Sequence, residues 1–411
     1  MIKFALCASV ILLMSASRIF AQSGCTDPNA LNFDSSALVN DGSCLYPPIS
    51  INCPVISALP NQVQESSGLV FFGGMLWTHN DSGNAAKLYG FDTINYQIQD
   101  TLVISNSTNI DWEDLAASSE YVFIGDFGNN NGSRTNLRVL RINISDALNL
   151  DTVEVEEISF SYPDQTNFSP TSNHSFDCEA FFFHNDSLHL FTKHWGNGYT
   201  KHYILPNEIG NHTAIFVDSL LVNGQITAAD ISPFGIVSLL GYSPPAYTPF
   251  MYLLWDYQGT QFFTGNKRNL NMGNVLDMGQ QEGLVFSSNL KGIISSEQIS
   301  NPIVIQARFF SFDLAPIFIA VSGLIAEENR PNMTIFPNPN NGRFIVSFNA
   351  GFIGEATLQI SDVSGKSHFN ERINVDANGF SWQGDLSPGV YFIRIVELSS
   401  GEVYFGRVVV E

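Results

Sequence analysis

Three glutamates and a serine recur at one position of a repeated pattern. Ser67-Gly-Leu69, Glu113-Asp-Leu115, Glu179-Ala-Phe181, Ala229-Asp-Ile231 and Glu282-Gly-Leu284 align on the small or apolar step that follows the polar residue. Carboxylates repeated at one register of a radial structure would face a single narrow axis, where like charges at short range cannot all stay ionised. A hard divalent cation held by oxygens compensates them. In the fourth copy Ala229 brings no side-chain oxygen, and a carbonyl, Thr227 or water would have to serve. The mechanical alternative is that the acids accept hydrogen bonds from neighbouring inner-strand amides and hold a ring in register.

A second group follows each copy, in the loop after the next strand: His79, Asp81, Asp126, Arg134, Lys193, His194, Trp195, Tyr242 and Glu297. Acids, histidine, lysine and an aromatic on one rim suit a polar ligand. Lys193 and Arg134 are available for an anionic group, and Trp195 for a ring or sugar face. With a cation binding phosphate, Asp81, Asp126 or Glu297 could orient a water, which makes them the catalytic candidates. Against this, Asn80-Asp-Ser-Gly83 and Gly128-Asn-Asn-Asn-Gly132 are turn formers first. The chain has no Gly-x-Ser-x-Gly elbow, His-Glu-x-x-His helix or phosphate loop. Binding and catalysis both stay open on these residues.

The element that must position these groups is a hairpin, Asp111 to Gly128 in its clearest copy. An acid-rich strand, the turn Ser118-Ser-Glu120 and a second strand lead into a Gly/Asn-rich loop, Gly125 to Arg134. Five such hairpins are each followed by further strand-like runs, such as Ala86 to Phe91 and Tyr96 to Ser105, or Leu137 to Ile144 and Val153 to Tyr162. A fixed period of this kind marks a repeat architecture, and four-stranded sheets repeated radially make a β-propeller. The fifth copy has only one further run, Ile303 to Phe312, so Ser50 to Leu59 is expected to supply its outer strand and close the ring. The fold expected is all-β: a five-bladed propeller over 49–320, then a small C-terminal immunoglobulin-like β-sandwich.

The order Ser67, Glu113, Glu179, a small residue and Glu282 resembles the five-bladed calcium-activated nucleotidase (apyrase) propellers, where such residues hold a central calcium. The resemblance covers a few residues per blade. It implies calcium at Ser67, Glu113, Glu179 and Glu282 and, as an alternative function, calcium-dependent hydrolysis of nucleotides or other phosphate esters. It stops at the axis and does not extend to the rim loops. The favoured expectation is therefore a propeller that binds a polar ligand or surface partner at its mouth.

The chain ends carry the address. Residues 1–22 read as a signal peptide, with Lys3, an apolar run from Phe4 to Met14 and a cut after Ala21. Export permits disulfides; Cys25 and Cys44 are expected to pair, leaving Cys53 and Cys178 as free or buried thiols. Residues 23–48 hold a short module and linker. Gly24 to Tyr46 resembles an acidic Cys-loop module of secreted Bacteroidetes proteins, and Asp27, Asn32, Asp34, Asn40 and Asp41 could ligate calcium or simply form turns. After a linker at 321–331, residues 332–411 contain Phe336-Pro-Asn-Pro339 with Gly342, Asp362-(x)-(x)-Gly365 and Leu386-Ser-Pro-Gly-Val-Tyr391. These motifs resemble the type A C-terminal sorting domain of the type IX secretion system, although the chain ends in Glu411 where the family favours a basic residue. The resemblance implies the secretion machinery as partner and passage through the periplasm to the cell surface or the outside. A net charge of −21, from 18 basic against 39 acidic residues, argues against a nucleic-acid polymer. No segment after the signal is apolar for the roughly 18 residues a membrane helix needs.

Overall fold

Valine, isoleucine and aromatic residues, alternating with small or polar ones in short runs punctuated by Gly, Asn and Asp, favour strands joined by tight turns. The computed structural model describes residues 22–301, 304–319, 333–348, 353–362, 366–376, 379–398 and 403–410. The signal peptide, apart from its last residue, lies outside the described residues, as do the linker at 321–331, the turn at 363–365 and Glu411.

Five antiparallel sheets follow one another along the chain. The inner and second strands of the five blades are Ser66–Phe72 with Met75–Asn80, Trp112–Ala117 with Tyr121–Asp126, and Asp177–His184 with Ser187–Lys193. Gln225–Ile231 with Val237–Ser243 and Gln280–Phe286 with Lys291–Glu297 complete the set. Each inner strand packs against the next, and that of blade five returns to blade one. At this closing junction a Cβ on Gly283 would come 2.8 Å from the Leu69 side chain. The protein is thus an all-β, five-bladed propeller.

The N-terminal segment closes the ring, but not as one strand. Ile49–Ser50 adds in parallel to the outer strand of blade four, Asn266–Asn271. Val55–Ala58 then pairs antiparallel with Arg308–Asp313 as the outer strand of blade five. Two other short strands reach backward in the same way. Thr152–Val153 lies beside the outer strand of blade one, and Gly210–Thr213 beside that of blade two.

The cores lie between blades rather than within them. Five apolar clusters fill the five junctions, with Trp77 and Trp112 at the first, Phe123 and Phe181 at the second, and Phe191 and Phe262 at the third. Met251 and Phe310 fill the fourth, and Phe91 and Phe309 the fifth. Fully burying each such side chain contributes ~2–3 kcal/mol, so ring closure itself is a main source of stability.

The N-terminal module is tied by the Cys25–Cys44 disulfide, while Cys53 and Cys178 are free and buried. Its acids form turns: Asp27, Asp34 and Asp41 accept the backbone N–H groups of Asn29, Ser36 and Ser43. Asn40 is directed outward and donates to Asp256 and Asn266 of blade four. In the C-terminal domain a three-stranded sheet (Met333–Phe336, Arg343–Phe348, Phe380–Gln383) faces a four-stranded one (Gly354–Asp362, Ser367–Val375, Gly389–Glu397, Val403–Val410). Phe344, Leu358, Trp382 and Ile393 form the core between them.

Candidate functional site: an acidic axial cavity

Every inner strand is interrupted near its start. In blades three, four and five a single residue has no partner on the second strand: Glu179, Thr227 and Glu282. In blade two Glu113 and Asp114 together oppose Gly125, and in blade one the interruption follows Ser67. An extra residue of this kind re-aims its side chain out of the strand's ordinary alternation. The bulge corrects the alignment in blade four, where Thr227 and not Ala229 stands at the register of the glutamates. The Ala229 amide instead faces Asp114, with the carboxylate oxygen 3.4 Å away.

Blades one and four thus contribute hydroxyls, and blades two, three and five carboxylates. The hydroxyls stitch the ring: Ser67 Oγ donates to the Glu113 carbonyl at 2.6 Å, and Thr227 Oγ1 to the Gln281 carbonyl at 2.7 Å. The mechanical role expected of the glutamates falls to two aspartates. Buried Asp114 accepts the amides of Leu115 and Phe181, and Asp230 those of Ile231 and Phe286. Gly68, at φ +62°, allows the close approach of blade one to blade two, because a Cβ there would lie 2.7 Å from the Leu115 nitrogen.

The glutamates face a cavity of ≈ 170 Å³ at the channel mouth. Ser67, Glu113, Glu179, Glu282 and Gln280 come to it from the inner strands. All five second-strand ends or loops reach it too, through Asp81, Asn130, Lys193 with Trp195, Tyr242, and Glu297. Five carboxylates and one ammonium therefore share the space.

Their partners differ. Lys193, itself buried, holds Glu179 at 3.0 Å and lies over the rings of Trp195 and Tyr242 at 4.8 and 5.8 Å. Gln280 donates to Glu282 at 2.7 Å. Trp195 donates its indole N–H to Asp177 and remains 42% exposed, a ring available at the rim. The Glu113 carboxylate, on a residue only 6% exposed, has no hydrogen bond or ion pair among the described residues. It lies with Asp111 against Gly128, where a Cβ would overlap Glu113 Oε1 and come 2.6 Å from the Asp111 carboxyl carbon. Oxygens of Asp81, Asp111 and Glu113 lie within 4.8 Å of one another.

Burial and crowding set the acidities. Burial first, then the Glu179, Asp81 and Asp111 carboxylates, push Glu113 well up. Asp111 is pushed to about 6 by burial and by Asp81, and Glu282 to about 7 by burial, against the pull of Lys193. Burial and Glu282 raise Glu297. Burial alone would lower Lys193, but the Glu179 charge outweighs it and holds the ammonium well above the ordinary range.

Several residues expected on the rim are elsewhere. His79 is fully buried, its ring edge-on to Trp112 at 5.5 Å and its Nδ1 2.9 Å from the Asn80 carbonyl, because it lies one residue inside the strand end. Asp126 is held by Arg134 at 3.0 Å and Arg138 at 2.9 Å. Arg134 also donates to the Gly128 carbonyl, so neither Asp126 nor Arg134 lines the cavity. His194 Nδ1 accepts the amides of Gly196 and Asn197 and shapes its own loop. Conversely, Asp111, Asn130 and Gln280 belong to the site although the repeat pattern does not mark them. Asp111 immediately precedes its inner strand and stands two residues before Glu113, the same offset at which Gln280 stands before Glu282. Asn130 sits in a Gly/Asn-rich loop with no distinguishing signal.

Residues 334–411 match the family model of the secretion system C-terminal sorting domain. No helix of the described residues is long and apolar enough to cross a membrane. The chain is accordingly type IX secretion cargo, delivered to the cell surface or the outside. Comparison with curated proteins finds no match. Among solved structures the chain is similar to PorZ, a surface component of the type IX secretion system of Porphyromonas gingivalis, at 12% identity and a TM-score of 0.32. That likeness covers 84% of this chain and 45% of the PorZ chain, so this protein spans less than half of PorZ's length. It is also similar to an exo-β-1,3-galactanase from Phanerochaete chrysosporium, at 12% identity and a TM-score of 0.39, covering 91% and 92% of the two chains.

Proposed function

We propose that this type IX cargo is a binding module whose propeller takes up calcium in the axial cavity and presents it, with the rim, to a small polar ligand. The observation that carries the reading is the buried, unpartnered Glu113 carboxylate in a cavity lined by five carboxylates and a single ammonium. The donor set fits the ion: carboxylate and amide oxygens are what calcium prefers, and open positions can be filled by water through the mouth. Calcium would supply charge compensation and a positive centre for a ligand oxygen. Trp195 then offers an exposed face to a sugar or other ring, with Asp81, Tyr242 and Lys193 as polar contacts.

The size of the cavity sets what can enter it. A cavity of ≈ 170 Å³ holds about five or six waters at ~30 Å³ each, below the ~300 Å³ at which pockets for organic ligands begin. It admits an ion and the tip of a ligand. No histidine or cysteine is among the side chains lining it. The test is calorimetric titration of the chelator-stripped mature protein with calcium chloride, followed by incubation with ATP. Calcium uptake without phosphate release is expected. Absence of uptake would sink the reading, and calcium-dependent phosphate release would replace it with that of a hydrolase.

A further inference from the structure

The four residues Ser67, Glu113, Glu179 and Glu282 form a ring, but their partners do not treat them alike. Ser67 spends its proton on the Glu113 carbonyl. Glu179 is neutralised by Lys193 at 3.0 Å, and Glu282 accepts from Gln280. Lys193 is one of the cavity walls and faces both acids, so a divalent ion at the centre of the ring would meet a like charge at short range. Between blades one and two no side chain pairs with the acids in this way, although the Lys193 charge reaches Asp81 as well. Asp81 and Asp111 come from the blade-one loop and the blade-two strand entry, and their oxygens cluster with the free Glu113 carboxylate. The contacts there are few: the Ser82 amide on Asp81 Oδ1, and Arg134 Nη1 3.9 Å from Asp111 Oδ2. Glycine at 128 leaves the room into which Glu113 and Asp111 fold.

We propose that calcium binds off the channel axis, between blades one and two, on Asp81, Asp111 and Glu113, while Lys193 serves as the built-in cation of blades three and five. This rests on the reading that the cavity takes up calcium, and it deepens that reading by exchanging three of the four ring ligands for two rim acids. The site holds one divalent ion. Its open side faces Lys193 and the Trp195 ring across the mouth.

The experiment is titration of the stripped, full-length mature protein with calcium chloride, in parallel with Asp81→Asn, Asp111→Asn and Glu179→Gln. Asp111→Asn and Asp81→Asn should each weaken calcium at least tenfold, while Glu179→Gln stays within about threefold of the parent. Asp81 lies just beyond a strand end, so its variant keeps the test valid if Asp111→Asn fails to fold. Loss of binding in Glu179→Gln with retention in both aspartate variants would overturn the off-axis site and restore the ring. No uptake by the parent protein would overturn the calcium reading itself, a different outcome from a misplaced ion.

Discussion

At the scale of single residues, the acids of the inner strands prove to be of several kinds. Glu179 and Glu282 have partners in the cavity, Glu113 has none, and Asp114 and Asp230 spend their oxygens on inner-strand amides. The resulting acidities give a test by difference. Glu282 is held near pH 7 in the fold, against an ordinary value of 4.5. The folded state therefore binds this proton more tightly than the unfolded chain does. The stability it contributes is present below about pH 4.5 and is lost as the pH rises through about 7. Buried His79 and His189, held down to about 4 and about 3 by burial, work in the opposite direction. Glu282→Gln isolates the carboxyl. Each tenfold difference in proton affinity between folded and unfolded chain is worth ~1.4 kcal/mol. In chelator, denaturant unfolding should therefore show the variant gaining on the parent by on the order of 2–3 kcal/mol between about pH 5 and 8. A difference that does not move with pH would contradict the buried, protonated Glu282. The acids were legible in the sequence because a repeat exposes its own register. The division of labour among them was not, since it depends on Lys193 and Gln280 reaching back from neighbouring positions.

At the scale of elements, the five hairpins and the closing role of the N-terminal segment could be read from alternation and turn residues. Blade four shows the limit. In Thr227-Ala-Ala-Asp-Ile231 a slip of two residues keeps every side chain on the same face, and only the bulge identifies Thr227 as the counterpart of Glu179 and Glu282. The segment expected as one outer strand divides between two blades because Pro54 interrupts it with no N–H to give. Both attachments should matter. Removing residues 22–58 strips the outer strand from blade five and the added one from blade four. The melting midpoint measured by scanning calorimetry should fall by roughly 10 °C or more, as expected for the loss of several kcal/mol in a domain of this size. Removing only 22–46, with both strands retained, should cost a few degrees at most. Equal midpoints for the two truncations would show that the strands do not close the ring.

At the scale of the whole molecule, address and architecture are separate. The sorting domain was recognisable from its motifs because its turns need particular residues. The propeller was recognisable from its period and not from any motif. Deleting 332–411 should leave the propeller folded and trap it in the periplasm, as read by cell fractionation and protease accessibility; surface display of the truncated protein would contradict the sorting role. The double attachment of the N-terminal segment has a mechanical consequence under tension between the two ends of the chain. In the antiparallel pair of Val55–Ala58 with Arg308–Asp313, the entering chain and the departing chain leave from the same edge, so tension between the two ends would peel the pair one bond at a time, like a zip. Ile49–Ser50 lies upstream, clamped in parallel to blade four, and there the same tension must shear its bonds together. The weak seam of the ring is thus guarded by a latch on the neighbouring blade, and the load reaches the latch first.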